Sequence, residues 1–382
     1  MAKKKKKPKL KYFDYTLLFV TIFIIGFGLI MIYSTSSYTA QLEEGDAAFY
    51  FRKQFLFTMI GFVAMYACYK IDYHIWYKLA WPIFLFSIVL IFALIPFGSS
   101  ANGATRWIRI GPVGIQPADV CKTAVIIMFA TLISNNSVKM KKAKVALVIF
   151  SLALIQGALI KVISDNLSSA IIVIAIGFLM IFVAVPNYSL FVVLGGVGIA
   201  GVCGLYAWCS NIIKSGNLTS NFRLNRILIW VDPESFSSGK GYQTVQALYA
   251  IGSGGLFGKG LGKSLQKLGY IPESQNDMIF SIICEELGLF GALCMLLVFA
   301  VMLARIVHIA HNAPDLFGMM LAIGVFAHIA IQLVLNVAVV TNLIPNTGVS
   351  LPFISYGGSS AVILMAEMGI VFNISSKIKL EQ

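Results

Sequence analysis

Five acidic residues stand where acids are expensive. Asp119, Asp277, Glu285, Glu286 and Glu367 fall within or at the edge of long apolar stretches, in a chain with only 16 Asp and Glu. An ionisable group inside a bilayer is a functional candidate by default. Asp277 follows Pro272-Glu273-Ser274-Gln275-Asn276 and opens an apolar run. One reading is an acid that the dipole favours at a helix N-terminus. The other is a carboxylate at the mouth of a cavity, tuned by burial to act as a general base. Asp119 and Lys122 are three residues apart, so they share a helix face and can pair. Such a pair is either a neutralised charge tolerated in lipid or a phosphate-binding lysine held by an acid. Arg106, Trp107 and Arg109 precede it, and Trp107 suits an interfacial aromatic belt.

A second group of charges lies in the stretch 211–276: Lys214, Arg223, Arg226, Lys240, Lys259, Lys263 and Lys267. It is either a solvated face or a site for an anion. Gly258-Lys259-Gly260-Leu261-Gly262-Lys263-Ser264 looks like a phosphate-binding P-loop. That motif needs a glycine five positions before its final glycine, and Phe257 stands there. The glycines are better read as letting the chain turn tightly near membrane or ligand. The six cysteines lie in or at the ends of apolar runs without a CxxC, as small buried hydrophobes do. The four histidines are scattered and give a metal site little support.

These groups need a scaffold, and composition names it. The chain has 382 residues, 58% hydrophobic and only 12% charged, against about 25% charged in soluble domains. The expected fold is therefore all-α: a polytopic membrane bundle, since a spanning helix satisfies its backbone internally. A barrel would show short alternating segments instead. Apolar runs predict ten spans, at 16–33, 54–70, 78–97, 117–135, 143–161, 167–185, 188–210, 277–304, 315–340 and 350–373. The basic loop Lys139 to Lys144, the lysine-rich start, Arg305, Lys377 and Lys379 assign one side to the cytoplasm. The run Lys3 to Lys7 has the charge of a signal-peptide n-region, but no small-residue cleavage pattern follows it. The expectation is a basic cytoplasmic tail over 1–15, one membrane domain over 16–376, and a cytoplasmic tail over 377–382. The loop of about 211–276, between helices seven and eight, then falls outside. The net charge of +13 reflects this bias and not nucleic-acid binding.

Four stretches carry a specific resemblance. The first is Arg106-Trp107-Ile108, Gly111, Gln116-Pro117-Ala118-Asp119 and Lys122. The second is Gly241-Tyr242-Gln243 with Gly252-Ser253-Gly254-Gly255-Leu256-Phe257-Gly258-Lys259-Gly260-Leu261-Gly262. The third is Pro272-Glu273, Asp277, Ile279-Phe280 and Glu285-Glu286-Leu287-Gly288. The fourth is Pro345, Thr347-Gly348 and Leu351-Pro352-Phe353-Ile354-Ser355-Tyr356-Gly357-Gly358-Ser359-Ser360. In this order they resemble the SEDS family (shape, elongation, division and sporulation), which includes FtsW and RodA. The opening stretch Asp14-Tyr15-Thr16-Leu17-Leu18 to Ser34 leans toward FtsW.

The resemblance implies peptidoglycan glycosyltransfer in a bacterial plasma membrane, with lipid II as substrate and undecaprenyl pyrophosphate leaving. Asp277 aligns with the family's essential aspartate and is assigned as the base. Arg106, Asp119, Lys122 and Gln243 match family motifs as substrate-binding candidates. Arg223 and Arg226 join them by charge and location. The family usually has Glu at position 119, so this arm is one methylene shorter. No cofactor is required by the sequence, and assistance from Mg or Mn at the pyrophosphate stays open. A class B penicillin-binding protein is the implied transpeptidase partner. Two rivals remain at this stage: a lipid II flippase, which would carry its charges near mid-membrane on broken helices, and a non-enzymatic scaffold.

Overall fold

The computed structural model describes residues 12–101, 104–111, 113–185, 196, 204, 222–236, 239 and 241–379. The long helices are α1 (Tyr15–Glu44), α2 (Phe49–Lys70), α3 (His74–Phe92), continued by α4 (Leu94–Phe97), α5 (Pro117–Asn135), α6 (Ala143–Ser164) and α7 (Leu167–Ala184). After the shorter α8 (Phe222–Val231) and α9 (Tyr242–Gly254) come α10 (Ile279–His311), α11 (Leu316–Val340) and α12 (Gly358–Ser375). Among the described residues, eight spans are long and apolar enough to cross a membrane: α1, α3 with α4, α5, α6, α7, α10, α11 and α12. The chain is thus a multi-pass helical membrane protein. The charged helix α2 packs along α12 and overlaps the second expected span, 54–70, but is not among these eight. The expected span 188–210 lies outside the described residues.

Sequence explains where these helices start. Gln116 is extended, and Pro117 sets the first turn of α5, where its missing N–H costs nothing. Asp119 in that turn complements the helix dipole. Asp14 caps α1 by accepting the Leu17 N–H at 2.9 Å, and Asp315 caps α11 by accepting that of Gly318 at 2.8 Å. The last helix begins at Gly358 and not near 350, because 345–357 is non-helical chain despite its apolar content.

α5, α11 and α12 bury most of their apolar length inside the protein, whereas α1, α3 and α6 face outward. Both chain ends meet at one end of this bundle. The Asp14 N–H donates to Ser375 Oγ at 3.1 Å, and Arg305 Nε donates to Asp14 Oδ2 at 2.9 Å. Lys377 pairs with Asp72 at 2.9 Å. That bond and the His74 peptide N–H hold the Asp72 carboxyl below the usual carboxylate range. His74 also reaches Asp315 through Nε2 at 3.1 Å.

α2 and α12 approach so closely that a Cβ on Gly369 would lie 2.2 Å from the Met65 carbonyl oxygen. Replacing Gly369 with leucine should therefore force the helices apart and cost about 1–3 kcal/mol or more. A lower thermal midpoint in detergent checks this, and an unchanged one would contradict so tight a crossing.

Candidate active site at the sheet end of the bundle

The opposite end carries a short antiparallel sheet in the order β1 (Gly98–Ala101), β2 (Ala104–Ile110), β3 (Val113–Ile115). This stretch falls between the expected spans 78–97 and 117–135. β1 and β3, with four and three residues, are too short to show a period of two. β3 leads directly into α5, so the sheet and the first turn of α5 form one unit. Arg106 stands on β2, half-buried, and its Nε is buried without a partner among the described residues. Trp107 pairs across to Ser99, whose hydroxyl donates to the Trp107 carbonyl at 3.1 Å.

One helical turn into α5, Lys122 Nζ donates to Asp119 Oδ1 at 2.7 Å. The shorter aspartate arm still closes this pair. Both side chains are about 95% removed from solvent (4% and 5% exposed). Asp119 Oδ2 has no hydrogen-bond partner among the described residues. Buried polar atoms are normally satisfied by protein or water, so this end of the pair marks a place for a polar guest.

Asp277 lies half-buried in the turn just ahead of α10. A Cβ built on Gly348 would stand 3.6 Å from its Oδ2. Its backbone carbonyl accepts Asn336 Nδ2 from α11 at 2.7 Å. Gln243 on α9 reaches the same turn, donating to the Pro272 carbonyl at 3.3 Å and accepting from Asn346 Nδ2 at 3.4 Å. The Tyr356 N–H donates to the Gln275 carbonyl at 2.9 Å. Ser168, at the start of α7, donates to the Thr347 carbonyl. Thus Gln243 and Asp277 come together through the turn and the 346–348 segment, while Asp119 and Lys122 form a second group on α5. α11 packs on both α5 and α10. Arg223 and Arg226 fall on α8, and their side chains lie outside the described residues, as do Lys214 and Lys240.

Two cations of the 211–276 stretch, Lys259 and Lys267, have internal partners. α10 is broken at Gly288, which has φ 69° and ψ −174°. The glycine-rich chain docks into the break. Lys259 N–H and Gly260 N–H donate to the carbonyls of Glu285 and Glu286, each at 2.9 Å. In return, Leu289 N–H donates to the Gly255 carbonyl at 2.9 Å and Phe290 N–H to that of Leu256 at 3.0 Å. Gly258 has φ +77°, and a Cβ there would sit 2.2 Å from the Glu286 oxygen. Close backbone approach is the physical reason for this glycine run.

Lys259 Nζ pairs with Glu285 at 2.7 Å, and Lys267 Nζ pairs with Glu286 at 2.8 Å. Ser34 of α1 donates to both oxygens of Glu286 at 2.8 Å. Glu285 and Glu286, singled out as acids in lipid, are thus fully buried and bind the chain's own lysines. The fifth acid, Glu367 on α12, accepts from Thr123 of α5 at 2.5 Å and contacts His328 Nδ1 of α11 at 2.8 Å. Its partners come from two other helices, so sequence spacing could not reveal them.

Comparison with known proteins follows from this geometry. A family model described as FTSW_RODA_SPOVE, cell cycle protein, matches residues 15–380. Stage V sporulation protein E of Bacillus subtilis (strain 168) is 38% identical over 379 residues, covering 98% of this chain and 99% of that one. A probable peptidoglycan glycosyltransferase FtsW of Geobacter sp. (strain M18) is 33% identical over 371 residues, covering 96% and 98%. Among solved structures, one described as structural coordination of polymerization and crosslinking by a peptidoglycan synthase complex has a TM-score of 0.78 at 23% identity, covering 96% of this chain and 98% of that one. Rod shape determining protein RodA of Thermus thermophilus has a TM-score of 0.66 at 22% identity, covering 97% and 98%. These two show a shared fold.

Proposed function

The chain belongs to the FtsW/RodA/SpoVE family of cell cycle proteins, and from that premise we propose that it is a peptidoglycan glycosyltransferase. In this reading it polymerises lipid II at the outer face of the bacterial plasma membrane. The observation that carries the reading is the half-buried Asp277 turn at the same end of the bundle as the buried Asp119–Lys122 pair. The relatives named as peptidoglycan glycosyltransferases match over nearly their whole length.

The acceptor sugar's 4-hydroxyl gives its proton to the Asp277 carboxylate as its oxygen attacks the donor's anomeric carbon. The bond from that carbon to the pyrophosphate oxygen breaks, and undecaprenyl pyrophosphate leaves with the electron pair. This leaving group needs charge stabilisation more than a proton. Lys122 and Arg106 supply it, with the guanidinium suited to bidentate phosphate contact. Arg223 and Arg226 are assigned to the same anion, and Gln243 to holding sugar beside the turn. A retaining route needs a second carboxylate about 5 Å from the first. Asp277 is assigned as the lone acid in attack, so a single displacement with inversion follows.

Orientation rests on charge. The lysine-rich loop 139–144 faces the cytoplasm, and both chain ends share that side. A class B penicillin-binding protein is the proposed transpeptidase partner, supported by the fold shared with a peptidoglycan synthase complex.

The test is glycan polymer from purified protein and lipid II, with and without that partner, in Mg, in Mn and in chelator. Polymer of several repeats is the expected result. Vectorial lipid movement in proteoliposomes with no polymer under any condition would overturn the reading in favour of transport.

A further inference from the structure

We propose that Asn336 is the positioning residue of Asp277, a role that rests on the proposed glycosyl transfer and adds a second component to it. Asn336 lies on α11 with no exposed surface. Its Nδ2 donates at 2.7 Å to the Asp277 carbonyl and at 2.7 Å to the Val349 carbonyl. A carboxamide NH2 has two N–H donors and no acceptor. Both contacts are carbonyls, so the orientation of the amide is fixed by its surroundings.

The bond matters because of what it joins. One carbonyl belongs to the residue whose side chain is the assigned base. The other belongs to the residue after Gly348, whose Cα faces Asp277 Oδ2. Asn346 accepts the Gly348 N–H at 3.0 Å and donates to Gln243. On the other side, Ser355 Oγ donates to the Asn276 carbonyl at 2.6 Å. The carboxylate therefore stands on backbone held at residue 277 by a buried amide and at residue 276 by a serine hydroxyl, between two segments with no helix of their own at that point. The order of the 345–357 chain depends on such side-chain bonds. Loss of the amide removes both donors at once, which costs each carbonyl this partner and lets the turn slide. A shift of about 1 Å at a reacting group can cost 10²-fold in rate. The amide touches backbone and never substrate, so the affinity for lipid II should be spared.

The experiment uses full-length protein with its partner and lipid II as substrate. Asn336→Ala and Asn336→Ser are measured beside Asp277→Asn. The expected result is a kcat lower by about 10- to 100-fold, with KM within about threefold and a monodisperse, folded protein. Adding Asn336→Ala to Asp277→Asn should cost little more than Asp277→Asn alone, because a residue acting through Asp277 has nothing left to position. A kcat near that of the unchanged protein, a loss carried by KM, or loss of the folded state in both variants would overturn the proposal. If Asp277→Asn itself keeps full activity, the assigned base fails instead, and the two failures are told apart.

Discussion

Replacing Asp277 with asparagine should lower the rate of lipid II polymerisation by about 10²–10⁴-fold, the usual contribution of a general base. At about 1.4 kcal/mol per tenfold, that is roughly 3–5 kcal/mol of lost transition-state stabilisation. The competing explanation, an acid that merely favours a helix N-terminus, is worth about 0.3–1 kcal/mol of stability and no rate. Geometry further weakens that explanation. The residue capping α10 is Met278, and no side-chain cap bond is made there. The bond from Asn336 is accepted by the Asp277 backbone carbonyl, which asparagine keeps. The variant should therefore accumulate, unfold near the normal midpoint and bind lipid II, while its product falls. Polymerisation within about threefold of the unchanged protein would remove Asp277 from the mechanism.

What sequence could and could not reveal divides along physical lines. Apolar length located eight of the ten expected spans among the described residues, since the bilayer imposes it on each helix separately. α5 was expected over 117–135 and runs over Pro117–Asn135, because Pro117 sets its start locally. The tenth span was expected from 350, but α12 begins at Gly358. Leu351 to Tyr356 are apolar enough for a helix, yet the Tyr356 N–H and the Ser355 hydroxyl both bond to carbonyls of the 275–276 segment. Composition cannot distinguish those two uses of apolar residues. Among the site candidates, Asp119 and Lys122 were legible because a helix brings i and i+3 together. Gln243 and Asp277 meet through a turn and a neighbouring loop, which only a motif could suggest. The lysines of the 211–276 stretch were open to two readings. Lys259 and Lys267 have partners 26 and 19 residues away, just before a helix break at Gly288 that no periodicity signals.

Those buried partners carry the other large effect. Replacing Lys267 with methionine should destabilise the protein by about 3–5 kcal/mol, the usual cost of stripping one member from a buried ion pair. Glu286 has no exposed surface, and its remaining donor would be Ser34. A hydroxyl cannot offset a desolvated carboxylate. Replacing both Lys267 and Glu286 with apolar residues of similar size should recover most of the loss, because the uncompensated charge goes with its partner. Lys259→Met is the comparison: Lys259 is 31% exposed, Glu285 keeps Ser264 and two backbone donors, and its loss should be smaller. Thermal or denaturant unfolding in detergent ranks the variants, and a Lys267→Met midpoint equal to that of Lys259→Met would refute the ordering. Activity adds a second readout. Lys267 immediately precedes the chain that runs to Asp277, so a loosened pair frees the turn that carries the assigned base. If the double apolar variant regains stability but not polymerisation, the pair sets the position of that turn as well as its folding. If both return together, packing alone was needed there.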